Sequence, residues 1–253
     1  MTALDTLLQQ VDQRKARLDA HRPLPSFTAA SLRERLALEW TYNSNAIEGN
    51  TLTLRETQVV LEHGITIGKK TLREHFEAIN HRDAVVFVDE LVSRAAQLDE
   101  WAIRNIHQLV YKNIDDQWAG KYRGENVAIV GASFVPTDHV HLAASMAELL
   151  RWYHAEAQML HPVVRAAQLH TRFIEIHPFT DGNGRTARLL LNFELMRSGY
   201  PVVVIRTEDR LDYYEALDQA CMHGQFDGFV QMVAGGLLCS LDLYLTVIEG
   251  APS

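Results

Sequence analysis

At 253 residues, 47% hydrophobic and 22% charged, the chain has ample material for a core and the composition of an ordinary globular protein. A formal net charge of −8 excludes a general nucleic-acid binder, which needs a basic surface, but leaves room for a local basic pocket. Two cysteines, Cys221 and Cys239, exclude a disulfide framework and a thiolate zinc site.

Residues Met1-Thr2-Ala3-Leu4-Asp5 carry neither the basic nor the apolar stretch of a signal peptide, so a cytoplasmic location without a membrane partner is expected. Thr2 to Asp19 reads as an amphipathic helix with Leu4, Leu7, Leu8, Val11 and Leu18 on one side. Pro23 and Pro25 close it, because proline removes a donor and biases its predecessor away from helix. Ser31 to Asn43 is helical again, with Leu32, Leu36, Leu38 and Trp40 as contacts. In Ser44-Asn45-Ala46-Ile47-Glu48-Gly49, Glu48 follows Ser44 by four residues and shares a helix face with it, and Gly49 is a C-terminal stop.

Further helices are expected from Thr53 to His63, closed by Gly64, from Arg73 to Ala96, and from Trp101 to Ile114. No Pro-, Gly- or Ser-rich linker follows, so only a soft boundary near residue 100 separates a helical region 1–99 from residues 100–253. The one strand signal is Asn126 to Pro136. There Val127, Ile129, Val130 and Phe134 flank Gly131-Ala132, a pattern that predicts a short β-hairpin. Helical periodicity returns over Ala143 to Ala157, Val163 to Ile176 and Arg185 to Ser198, with Gly199 as left-handed cap and Pro201 as stop. Asp212 to Met222 and Phe229 to Val247 complete the chain. The apolar run from Gly228 to Ile248 is interrupted by Gln231, Ser240 and Asp242, which suits a core helix better than a membrane span. The expected fold is all-α, a helical bundle with one hairpin.

Chemistry concentrates in His177-Pro178-Phe179-Thr180-Asp181-Gly182-Asn183-Gly184-Arg185-Thr186-Ala187-Arg188, followed at once by Leu189-Leu190-Leu191. A polar loop breaking into a buried helix places that helix's unpartnered N–H groups and positive dipole end beside the loop, a ready seat for an anion. Gly182 and Gly184 remove Cβ atoms that would keep backbone from a phosphate, and Arg185 and Arg188 share a helix face. His177 is a proton acceptor near neutrality, and Asp181 beside a phosphate cradle is a handle for Mg²⁺. His139, His141, His161 and His170 form no metal-ligand spacing.

This stretch resembles the H-P-F-x-D-G-N-G-R-x-x-R signature of Fic-domain proteins at every defined position, with similarity over roughly residues 40–235. The resemblance implies an α-helical fold and transfer of a nucleoside monophosphate, usually AMP from ATP, to a Ser, Thr or Tyr hydroxyl of a protein. His177 would deprotonate that hydroxyl and Asp181 would bind Mg²⁺. Gly182, Asn183 and Gly184 would hold the α- and β-phosphates, and Arg185 and Arg188 the β- and γ-phosphates. The hairpin, through Val127, Ile129, Val130, Gly131 and Phe134, is similar to the family's target-docking flap. Tyr213 and Tyr214 resemble residues on the adenine side.

Ser44-x-x-x-Glu48-Gly49 resembles the family's inhibitory motif, on a helix at about 41–50, with Glu48 taking the Arg188 guanidinium from the γ-phosphate. One departure stands: Ala220-Cys221-Met222-His223-Gly224-Gln225 lacks the Asn and Gly-Asp pair expected near the base, which leaves base preference open. The same fold also allows removal of AMP, transfer of another nucleotide or of phosphate, or nucleotide sensing without catalysis. The implied partner is a protein, the chain itself included, with a homo-oligomer left open.

Overall fold

Three Thr-x-x-Asp/Glu sequences each start a helix, because the threonine hydroxyl accepts an orphan amide while the acid three residues on accepts the threonine's own N–H. Thr2 with Asp5 opens α1 (Ala3–Ala20), Thr53 with Glu56 opens α3 (Leu54–His63), and Thr71 with Glu74 opens α4 (Leu72–Ser93). Asp99 caps α5 (Glu100–Tyr111), and Pro162 occupies the first turn of α7 (Pro162–Ile176). The computed structural model describes residues 2–250. The remaining helices there are α2 (Ser26–Ile47), α6 (Leu142–His154), α8 (Asn183–Arg197), α9 (Arg210–His223) and α10 (Asp227–Glu249), with short 3₁₀ turns between.

α8 is the centre. Leu189, Leu190, Leu191, Phe193 and Leu195 are all buried, and so are the polar Asn192 and Glu194 between them, so this helix is enclosed on every side. α7 packs along it, α4 and α5 flank it, and α2 lies across its N-terminal end. α10 pairs with α1 and also contacts α7 and α9, closing the bundle. One continuous apolar cluster runs from Val11 to Leu245, and a satellite of Leu52, Val60 and Ala78 sits beneath α3. The apolar stripe of α10 is buried, and Asp242 on its outer side pairs with Arg14 of α1 at 2.6 Å.

The structure departs from the sequence expectation in two places. α2 runs farther at both ends than Ser31 to Asn43. Its last turn contains Asn43, Ser44 and Asn45, types that ordinarily draw backbone away from helix. Here their side chains bond to other elements: Asn43 Oδ1 accepts from the Thr207 amide, and Asn45 Nδ2 donates to the Glu77 carbonyl. Tertiary contacts override propensity.

The expected hairpin is the second departure, since no strand forms among the described residues. Residues 126–136 run as two unpaired arms around a turn in which the Ala132 amide reaches the Ile129 carbonyl at 3.3 Å. The arms are joined at their base by side chains: Asn126 Nδ2 donates to Asp138, and its Oδ1 accepts from the His139 amide. Two isolated strands are marginal in water, and Pro136 has no amide for a ladder. Val130 at the tip and Val135 are exposed.

Candidate active site

The signature loop is held rigid from behind. Phe179 is fully buried, its ring stacked on His107 with centroids 3.6 Å apart and planes 2° apart. His107 accepts the Gly120 amide at Nδ1, which leaves Nε2 protonated to donate to the Asp181 carbonyl at 2.9 Å. Asn183 uses both ends of its carboxamide on Phe179, donating to its carbonyl at 2.8 Å and accepting its amide at 3.0 Å. Its side chain therefore closes the loop, and only its backbone amide is left for a ligand. Arg123 clamps the outer edge, donating through Nε to the His177 carbonyl and through its amide to the Pro178 carbonyl.

His177 ends α7 in the left-handed region at φ 51°, and its ring lies within electrostatic reach of Glu48 and Asp181. Burial is the main cause pushing its pKa down to about 4. The Ile174 carbonyl opposes that shift without forming a well-aligned bond to Nδ1, and Arg123 adds to it. At neutral pH the imidazole is uncharged and able to accept a proton.

α8 starts at Gly182 (φ 77°), and no side chain caps it. Its first-turn amides are open, and Gly184 offers bare backbone. The Glu48 carboxylate occupies that space: a Cβ on Gly184 would collide with Glu48 Oε1. The same oxygen accepts from Arg188 NH2 at 2.7 Å. Arg188 also donates to the Ser44 hydroxyl, the Ser44 carbonyl and the Tyr213 hydroxyl, the last of which also meets His170 Nε2 at 3.0 Å. Burial alone would favour losing the proton of this enclosed guanidinium. Tyr213 and Glu48 outweigh it and hold the pKa above the usual arginine value.

Asp181, with 41% of its side chain exposed, faces a different cation, Arg73 NH2 at 2.5 Å. Arg185 is buried, 3.5 Å from both Asp181 Oδ1 and Glu77 Oε1, and its Nε and NH1 have no hydrogen-bond partner. Unmet guanidinium donors beside an uncapped helix start mark an anion seat.

The structure thus brings His177, Asp181, Gly182, Gly184, Arg185, Arg188, Ser44 and Glu48 together. Gly49, at φ 98°, lets the chain turn away after the carboxylate. Tyr213 is buried with its hydroxyl engaged, so it supports Arg188 rather than lining an open cleft. Tyr214 is partly exposed and, with Arg210, meets the Ile47 carbonyl at the end of α2. The arms at 126–136 stay outside this cluster, tied to α9 through the Ser133 amide and Asp218. Arg73, Glu77, His107, Arg123, His170 and Arg210 join the site without standing out in the sequence. The i, i+4 spacing of Arg73 and Glu77 is the one local signal among them.

Four buried histidines link this region to acid stability. Burial depresses His81, His107, His170 and His177, with His107 and His177 pushed down to about 4. The unfolded chain, with histidines near ~6.5, therefore binds more protons below that pH, so stability is full above it and lost on acidification. His107 and His177 are each expected to remove about 2 kcal/mol by pH 5, and His81 and His170 act in the same direction. Thermal melts should show Tm level from pH 8 to 7 and falling steeply toward pH 5, above the range where carboxylates titrate.

The Fic/DOC family pattern matches residues 97–195 of the chain. "Protein adenylyltransferase Fic" of Nematostella vectensis is 36% identical over 246 residues, covering 94% of this chain and 56% of the relative. "Protein adenylyltransferase fic-1" of Caenorhabditis elegans is 38% identical over 215 residues, covering 83% of this chain and 41% of the relative. The chain thus spans about half the length of these curated relatives. A Fic-domain protein of Bacteroides thetaiotaomicron superposes with a TM-score of 0.89 at 31% identity, covering 96% of this chain and 98% of that one. A C. elegans Fic-1 fragment gives 0.89 at 31% identity, covering 97% and 73%. With the signature loop folded as described and these relatives matching over nearly its whole length, the chain belongs to the Fic family.

Proposed function

We propose that the chain is a protein adenylyltransferase that moves AMP from ATP to a Ser, Thr or Tyr hydroxyl of a protein, restrained by Glu48. The observation that carries this reading is the seat of the Glu48 carboxylate: an anion already rests on Gly184 and Arg188, where the signature would receive a polyphosphate. The relatives' shared name supports the reaction class.

In the proposed reaction the target oxygen attacks the α-phosphorus, the bond from that phosphorus to the bridging oxygen breaks, and pyrophosphate leaves. His177, neutral at pH 7, takes the hydroxyl proton. The open amides of α8 with Arg185 and Arg188 neutralise the charge that gathers on the leaving group. Asp181 suits Mg²⁺ in kind: it is a half-exposed carboxylate already facing a cation, and magnesium is usually held by one or two carboxylates plus substrate phosphates. Bound there, the ion would screen the phosphates. The arms at 126–136, which form no ladder on either side of the turn at Val130 and Gly131, suit an extended target segment added as a strand beside Val127 and Ile129.

ATP labelled separately at the α- and γ-phosphates tests the reaction class. Protein should retain the α-label and lose the γ-label, and the reverse pattern would mean phosphate transfer. Glu48 also lies near enough to His177 to favour its charged form, which gives a second reading in which the pair directs water onto an AMP-modified protein. Removal of AMP would need Glu48, whereas transfer is hindered by it.

The latch at the end of α2 is testable separately. Arg210 Nε donates to the Ile47 carbonyl at 2.8 Å, and its guanidinium lies over the Tyr214 ring. Arg210→Ala removes one charge-assisted bond from the segment that carries Glu48. Labelling is expected to rise about threefold to tenfold, with Arg188 untouched. Unchanged labelling would show that α2 is held without it.

A further inference from the structure

The Arg188–Glu48 pair guards the phosphate half of the site, and the other half has a guard of its own. Asp181 Oδ2 lies 2.5 Å from Arg73 NH2, and Arg73 Nε donates to Glu77 Oε1 at 3.1 Å. Glu77 is nearly buried, and its second oxygen accepts Asn50 Nδ2 at 2.9 Å, so it aims the guanidinium from a fixed point. Arg185 adds a second, more distant positive charge at 3.5 Å from Asp181. These contacts leave Asp181 with its charge already compensated.

We propose that Arg73 is an internal counter-cation that holds Asp181 until a divalent metal displaces it, so that this chain's demand for metal is set by Arg73 as well as by Asp181. The inference rests on Asp181 being a metal ligand. A guanidinium and a metal ion compete for Oδ2, because each carries positive charge and their mutual repulsion opposes close approach together. Arg73 is the partner that can yield. Its side chain is 54% exposed and reaches water by rotating about its stem, whereas Arg185 is 2% exposed and fixed. Displacement costs little, since an exposed pair of this kind is weak.

The test is the affinity for α,β-methylene-ATP, which cannot transfer AMP, measured by calorimetry with saturating Mn²⁺ and again with EDTA. The Glu48→Gly background keeps the phosphate seat open. The ratio of the two affinities reads the metal's contribution without any turnover. Arg73→Gln is expected to raise that ratio about threefold, and Arg73→Glu, which reverses the charge, about tenfold. Asp181→Asn should bring the ratio down to that of the nucleotide alone.

If Asp181→Asn leaves the ratio unchanged, the metal reading of Asp181 fails. If Asp181→Asn lowers the ratio and neither Arg73 variant raises it, the counter-cation role is overturned. Equal weakening of the analogue with and without Mn²⁺ in the Arg73 variants would instead make Arg73 a phosphate ligand and also overturns it.

Discussion

Glu48→Gly is expected to raise transfer of α-labelled AMP about tenfold to a hundredfold. The pair it breaks joins a guanidinium that is 2% exposed to a carboxylate at 2.7 Å. Unit charges ~4 Å apart interact by about 4 kcal/mol at an effective dielectric of ~20, before desolvation is subtracted. Retaining only a third to two thirds of that changes the ratio of competing states by one to two decades. Glycine at 48 clears the space over Gly184 that Glu48 Oε1 occupies. The variant should also melt lower, because Arg188 loses its carboxylate and keeps only Ser44 and Tyr213. A loss of about 1–3 kcal/mol is expected. ATP should recover more of that loss in the variant than it adds to the parent chain. Equal labelling by parent and variant, with nucleotide bound in both, would remove Glu48 as the restraint.

Removing His177 in that background should reduce transfer by about 10²–10⁴-fold while leaving nucleotide affinity intact, because general-base catalysis contributes on that scale. His177 contributes neither an α8 amide nor a guanidinium to the anion seat, so binding and chemistry are expected to separate. Asn is the better substitute for checking the fold, since position 177 lies at φ 51° and asparagine adopts that region more readily than alanine. The pH profile supplies a second check. With the pKa pushed down to about 4, the base stays unprotonated through neutrality. The kcat/KM of the Glu48→Gly chain should therefore remain level from pH 8 to about 6, where the histidine-linked loss of stability begins. An acid limb centred near 6.5 would point to a different base.

The central loop and the Ser44-x-x-x-Glu48 pattern are legible in the sequence because each is local. A base, a carboxylate, two glycines and two arginines stand within twelve consecutive residues. Ser44 and Glu48 meet Arg188 at separations of 144 and 140 residues, a span that only the resemblance to the inhibitory motif bridges in the sequence. Arg73 and Glu77 read as an ordinary pair on an amphipathic helix. Only the packing of α4 against α8 turns them toward Asp181 and Arg185.

His107 is silent in the sequence for a similar reason. Its purpose lies in two backbone groups, those of Gly120 and Asp181, that no side-chain pattern announces. At 126–136 the residue types favour strand, yet a strand is a relation between two backbones and not a property of one. The pairing does not form, and side chains of Asn126 and Asp138 hold the arms instead. Asn183 shows the opposite limit: a residue in the right motif whose carboxamide turns inward to Phe179.

Because the Glu48 carboxylate is attached to the chain whose site it fills, it acts at an effective concentration set by geometry rather than by supply. A doubling of free nucleotide shifts such a competition by no more than a factor of two. A small displacement of the α2 terminus, which is tied by Asn43, Ser44 and the Ile47 carbonyl, alters the competitor's own term exponentially. The proposed enzyme would therefore respond at most in proportion to the abundance of its substrate but steeply to force or contact applied to one helix end, behaving more as a mechanical gate than as an energy gauge.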